Sequence, residues 1–194
     1  MKTIDRIKHA AYILFAENGY AGTSMREIAN KIGIKAASIY SHYKSKEDLF
    51  IDLFKDCISE YDKGVSLNDD HIDIPLEEKM LELLRVQVLF LEENPHLLKF
   101  LARNIFFPPV ELKDKLQSII EDDLNITNMK NYYEIYDVLK KDKKIKNEIT
   151  IDRFISTFDM CIIRYFIGKI GLNYYKEQET IESLFNSYWE EMQS

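Results

Sequence analysis

Apolar positions recur along this chain at intervals of three and four, the period that places them on one face of an α-helix. Ile4, Ile7, Ala11, Leu14 and Phe15 form the first such stripe, and Gly19 after Asn18 is a helix stop. Ser24, followed three residues on by Glu27, predicts a capping box that opens a short helix through about Lys31. Gly33 punctuates, and a third helix is expected over about Ala36 to Tyr43. Ser45 with Asp48 resembles another capped start, leading into L-F-I-D-L-F-K-D-C-I, a run strongly apolar on one face.

The polar, broken segment Gly64 to Pro75 interrupts the pattern. Helical periods then return over about Leu76 to Asn94, Pro95 to Phe107, Pro109 to Leu124, Met129 to Lys141, Ile151 to Tyr175 and Glu177 to Met192. No convincing alternating strand, internal repeat or low-complexity tract interrupts them. The pattern predicts an all-α chain of about nine helices, with a division near residues 45–55.

Composition narrows the class. With 46% hydrophobic and 12% aromatic residues among 194, the chain can bury a core, and six glycines with four prolines argue against a turn-rich β fold. No run of about 18 uncharged apolar residues predicts a membrane span, and the charged opening M-K-T-I-D-R-I-K-H lacks the apolar core of a secretory signal. Cys57 and Cys161 have no metal-like spacing and fit buried thiols in a reducing cytoplasm. The expectation is a cytoplasmic protein without cofactor or metal. Net charge is -7, but residues 1–55 hold nine Lys/Arg against six Asp/Glu, a local +3, whereas the remaining 17 against 27 give -10. A basic head on an acidic body fits a localised contact with a polyanion.

Between Met25 and Tyr43 the spacing fits two short helices joined by a tight turn. Ile28 and Ile32 face inward, Ala29 is small where the helices approach, Gly33 sits in the turn, and Ile34 and Ile39 supply the inner face of the second helix. This is helix-turn-helix spacing, in which the second helix enters a major groove about 12 Å wide. The signature G-Y-A-G-T-S-M-R-E-I-A-N-K-I-G-I-K-A-A-S-I-Y-S-H-Y-K-S-K-E-D-L-F carries a resemblance. Over residues 4–54 the chain resembles the DNA-binding domain of the TetR/AcrR family of bacterial transcriptional regulators, with I-Y-x-H-Y-x-S-K-E-x-L the most specific part.

The resemblance implies a DNA-binding domain over residues 1–47 and an effector-binding and dimerisation body over 48–194. It implies that Tyr40 and His42 touch the phosphate backbone, and that Lys46 and its helix start grip another phosphate. Ser24, or Thr23 beside it, caps the second helix and contacts a flanking phosphate. Phenol, imidazole, ammonium and free N–H groups are all phosphate donors. Base reading falls to Lys35, Ala36, Ala37 and Ser38, with Ser41. Lysine can donate to guanine, serine can serve either partner, and alanine can meet a thymine methyl. Lys35 stands where the family often has Ser or Thr, and Ala36 where it often has Lys, so positive charge has moved one residue forward.

The partners expected are double-stranded operator DNA, a second copy of the chain through its two C-terminal helices, and a small-molecule effector. Leu184, Phe185, Tyr188 and Trp189 are expected to add to the dimer surface. An aromatic-rich body with a few polar groups is the composition of a ligand pocket; its candidate residues are Phe100, Arg103, Asn104, Phe107, Tyr133, Phe158 and Arg164. Two rivals stand beside this reading. One is a DNA-bound adaptor whose body binds a protein. The other is an enzyme, for which the sequence offers neither paired histidines at ligand spacing nor a nucleophile or phosphate-loop motif.

Overall fold

A computed structural model describes residues 2–66, 74–123, 127–169 and 179–193. Among them are ten α-helices and no paired strands, in agreement with the all-α expectation. They are α1 (Thr3–Asn18), α2 (Met25–Lys31), α3 (Ala36–Tyr40), α4 (Lys46–Gly64) and α5 (Leu76–Glu93). After these come α6 (Pro95–Phe106), α7 (Lys113–Asp123), α8 (Thr127–Lys141), α9 (Ile151–Lys169) and α10 (Ile181–Met192). A 3₁₀ turn at Val110–Leu112 precedes α7 where a single helix from Pro109 was expected. The extension of α9 to Tyr175 and the start of the last helix at Glu177 lie outside the described residues.

The chain packs as two compact units. One holds Met1–Tyr61 with Leu91–Leu124, the other Asp62–Phe90 with Asn125–Ser194. The division expected from sequence, 1–47 and 48–194, is one of roles. The packing division instead groups α6 and α7 with the N-terminal helices.

In the first unit, α1 packs on α2 and on α6. Ile7, Ala11 and Phe15 of the α1 stripe are buried, as are Ile28, Ile39, Leu49, Phe50, Phe54 and Phe100. Phe50 joins these layers, edge-on to Phe15 at 4.9 Å and tilted against Phe100 at 5.6 Å. Edge-to-face pairs of this kind add to the area they remove from water.

The second unit has its own core of Met80, Leu83, Leu84, Val88, Tyr132, Ile135, Leu139, Phe154 and Phe158, closed by α10 packed on α9. Here one expectation is corrected. Leu184, Phe185, Tyr188 and Trp189 do not form an outer dimer surface, because all four are buried in this core. Their spacing, 184, 185, 188 and 189, is that of one helical face, and that face is already occupied. Cys57 and Cys161 are free, buried thiols. No helix among the described residues is long and apolar enough to cross a membrane.

Candidate nucleic-acid interface

The local chemistry of α2 sets the site. Ser24 is its N-cap, accepting from the Glu27 amide at 3.2 Å, while the Ser24 amide and hydroxyl both donate to Glu27 Oε2 at 2.7 Å. Hydrogen bonds from the Ser24 hydroxyl and amide hold the Glu27 carboxyl below its ordinary value. At the other end Gly33 has φ +70 and Ile34 N–H returns to Ala29 O at 3.0 Å, the glycine closure of a helix C-terminus. Arg6 of α1 adds a guanidinium bond to Ile32 O at 2.7 Å.

The second helix is shorter than expected, ending at Tyr40 rather than Tyr43. Ser41 Oγ donates to Ser38 O at 2.7 Å, and the His42 amide bonds Ile39 O, so the last turn tightens. Ile39 and Tyr43 are buried, with Tyr43 Oη donating to Asp52 Oδ2 at 2.7 Å. Burial works against a charge on Asp52, yet hydrogen bonds from Lys8 and Tyr43 outweigh it and lower the carboxyl pKa. The ring of Tyr43 is thus anchored in the protein, and its neighbours are turned outward.

Lys35, Ala37, Ser38, Tyr40, Ser41 and His42 are all exposed within eight residues, and Ala36 is half-buried. Tyr40 exposes 54% of its surface, which for an aromatic beside a buried Ile39 marks an outward ring. Arg26, Lys31 and Lys44 are exposed cations that the sequence reading did not name. Their signal was present, but it is one that any solvated lysine also gives.

Two named residues stand differently from expectation. Thr23 is 2% exposed, and its hydroxyl donates to Leu14 O at 3.1 Å, so its side chain is removed from the set of phosphate contacts. Lys46 is the first residue of α4 as expected, but its ammonium donates to Tyr20 O at 2.8 Å and Thr23 O at 3.1 Å.

The residues named for an effector fall in both units. In the first, Phe100 is fully buried against Tyr12, Phe50 and Phe54, and the buried Asn104 amide donates to Phe100 O at 2.7 Å. Arg103 donates to Glu17 O, and Phe107 is 80% exposed. In the second, Phe158 is buried between Tyr132 and Tyr188, Tyr133 is exposed, and Arg164 pairs with Glu179. Phe100 and Phe158 are therefore core residues here, with no face open to a ligand. A cleft of about 400 Å³ in the second unit is lined instead by Pro75, Leu76, Glu77, Leu139, Lys143, Lys144, Trp189 and Gln193. No group of His, Cys, Asp and Glu among the described residues is arranged to hold a metal ion.

Fold and site together define a helix-turn-helix protein. A profile of bacterial regulatory proteins of the tetR family matches residues 7–53, which covers most of α1, all of α2 and α3, and the first turns of α4. Over these residues the chain is similar to the tetR family of bacterial regulatory proteins. It is similar to the biofilm operon icaADBC HTH-type negative transcriptional regulator IcaR of Staphylococcus epidermidis, 35% identical over 66 residues. That match takes in 34% of this chain and 36% of the relative, so the chain spans about a third of the curated relative's length. The fold extends over the whole chain. A tetR-family regulator of Shewanella sp. PV-4 superposes with TM-score 0.73 at 20% identity, covering 100% of both chains. Another from Haemophilus influenzae gives 0.71 at 21%, covering 98% of this chain and 96% of that one.

Proposed function

We propose that the chain is a homodimeric repressor that binds a near-palindromic operator through α3 and is released by a small apolar or aromatic ligand. The observation that carries the reading is the outward row Lys35, Ala37, Ser38, Tyr40, Ser41 and His42 above the buried Ile39. It combines base-edge and phosphate donors on one short segment, as groove binding requires. The negative regulator named above supports repression. A helix of five residues is about 7.5 Å long and meets too few base pairs alone, which favours a symmetric pair. On α9, Met160 is 47% exposed, with Ile163 and Ile167 half-buried on the same face, and this supports pairing through α9.

Selection from random duplexes, followed by titration at several salt concentrations, tests operator binding. The expected result is a two-fold symmetric site with half-sites ~34–36 Å apart and affinity falling steeply with salt. Equal affinity at low and moderate salt would refute it. Release requires a ligand that prefers the DNA-incompetent arrangement; about 100-fold preference corresponds to ~2.7 kcal/mol of coupling. By reciprocity, operator DNA must weaken that ligand by the same factor.

A further inference from the structure

The cleft of about 400 Å³ in the second unit lies where three helix ends meet: the start of α5, the end of α8 and the end of α10. At the first, the Lys79 amide returns to Pro75 O at 2.9 Å, so Pro75 is the N-cap of α5. Proline has no side-chain acceptor and leaves the first amides of this 18-residue helix without a cap from it. That positive helix end lines the cleft through Pro75, Leu76 and Glu77.

At the second, α8 closes as a Schellman motif. The Lys143 amide bonds Lys140 O at 3.1 Å, and the Lys144 amide bonds Leu139 O at 2.9 Å. Such a closure needs a positive φ, a place usually taken by glycine, yet Lys143 holds it at φ 54. The turn brings Lys143 and Lys144 to the cleft together with the buried Leu139. At the third, the Lys146 amide bonds Met192 O at 2.9 Å and Gln193 bridges antiparallel to Ile145. The end of α10 is thereby tied to the segment after α8, and the cleft is shaped by the fold itself.

Two independent observations point to an occupant. The Trp189 indole lines the cleft and is 6% exposed, but its Nε1 has no hydrogen-bond partner among the described residues. A buried indole N–H ordinarily finds an acceptor, and this one lacks an oxygen. The second observation is charge. Two lysines against Glu77 give the cleft a local +1, in the part of the chain that carries -10. Leu76, Leu139 and Trp189 supply apolar surface beside those cations, and the volume is that of a small-molecule site.

We propose that this cleft binds a monocarboxylate with a short apolar tail. Lys143, Lys144 and the α5 start hold the carboxylate, and the tail lies on Leu139 and Trp189. Glu77 disfavours a second negative charge. The assignment deepens the release reading above by giving the ligand a class and a place, and it rests on that reading for the effect on DNA.

Trp189 is the only tryptophan in the chain, so its emission reports on the cleft directly. The experiment titrates the full chain with octanoate and with octanamide, its neutral counterpart. Octanoate is expected to change Trp189 emission saturably, and octanamide to bind at least about tenfold more weakly, the loss of a charge-assisted contact. Lys143→Gly suits the positive φ, so it removes an ammonium while keeping the turn, and should weaken octanoate about tenfold. Glu77→Gln should tighten it about threefold by removing a like charge. Emission that does not saturate overturns the site. Equal affinity for octanamide, full affinity in Lys143→Gly, or weaker binding in Glu77→Gln overturns the carboxylate assignment. Saturating octanoate is then expected to lower affinity for the selected operator, and an unchanged operator affinity overturns its part in release. If the wild type selects no operator, the release reading fails alone, and the fluorescence titrations still decide the cleft.

Discussion

The guanidinium of Arg103 donates through Nη1 to the carbonyl of Glu17 at 3.3 Å, joining α6 to the end of α1 across 86 positions of sequence. It acts there as a cap, bringing a positive charge to the last turn of a helix, where carbonyls lack intrahelical partners. Gly19 makes room for it. A Cβ at Gly19 would sit 2.9 Å from Arg103 Nη1, and the glycine φ of +75 with ψ 177 belongs to a region that side-chain-bearing residues avoid. Sequence composition assigned Arg103 to a ligand; its geometry assigns it to α1.

Gly19→Ala is expected to destabilise the protein by about 1–3 kcal/mol through backbone strain, with a further increment from displacing Arg103. At this chain length each kcal/mol lowers Tm by about 2–4 °C. In an Arg103→Ala background the displacement disappears and the strain remains, so Gly19→Ala should cost less there but still be unfavourable. Thermal unfolding of the four proteins in the cycle checks this. A neutral Gly19→Ala would show that the turn relaxes freely.

Ser24→Ala should cost about 1 kcal/mol at neutral pH, the usual loss for removing an N-cap hydroxyl. The pH dependence follows from Glu27, whose carboxyl is held below its ordinary 4.5 by the Ser24 hydroxyl and then by the Ser24 amide. A depressed carboxyl pKa contributes stability that is fully present above the unfolded value and lost as pH falls through the folded value. Alanine removes the hydroxyl bond but keeps the amide. The Tm gap between wild type and Ser24→Ala should therefore narrow below about pH 4.5. A gap that stayed constant from pH 7 to pH 3 would contradict the arrangement.

The same capping box shows what sequence makes legible. Ser24 and Glu27 are three residues apart, Gly33 closes its own helix, and Ile28 and Ile39 point inward by helical period, so each is decided by near neighbours. The outward row from Lys35 to His42 was legible for the same reason. Thr23 was misjudged because its hydroxyl meets Leu14 O, nine residues back, once the chain has turned. The hold on the Lys46 ammonium was not legible, because its carbonyl partners lie 26 and 23 residues earlier, at a distance no periodicity encodes. The α10 aromatics failed in another way. Their apolar face was identified correctly, but an apolar face does not state whether its partner is the same chain or a second copy.

Tyr40→Phe should weaken every duplex alike, because a phosphate carries no base identity. Substituting Lys35 or Ser38 should instead change base preference at one position of each half-site, at a cost of about 1–3 kcal/mol for a lost base contact. Binding measured across a library of single-base operator variants separates the two behaviours. Were Tyr40→Phe to alter preference while the Lys35 and Ser38 variants did not, the roles would be reversed.

Two tyrosines in the second unit should respond to the same substitution with opposite sign. Tyr188 is 2% exposed, packed against Phe154, Phe158 and Phe185 at centroid distances of 5.8, 5.5 and 6.0 Å, and its buried hydroxyl has no hydrogen-bond partner among the described residues. Burial raises its pKa, so the phenol stays neutral and the comparison does not depend on pH near neutrality. An unpaired buried hydroxyl costs about 1–3 kcal/mol of desolvation, and phenylalanine removes that cost while preserving the ring's shape. Tyr188→Phe is thus expected to stabilise the protein, raising Tm by about 2–4 °C for each kcal/mol recovered. Tyr132 lies beside it against Phe158 at 5.3 Å, but its hydroxyl accepts from the buried Gln87 amide at 2.7 Å. Tyr132→Phe takes that acceptor away from a donor out of reach of water, and should lower Tm by a comparable amount. Circular dichroism melts of the two variants decide the matter. If Tyr188→Phe also lowers Tm, its hydroxyl is bonded in solution, most simply through a buried water, and this part of the aromatic core is not dry.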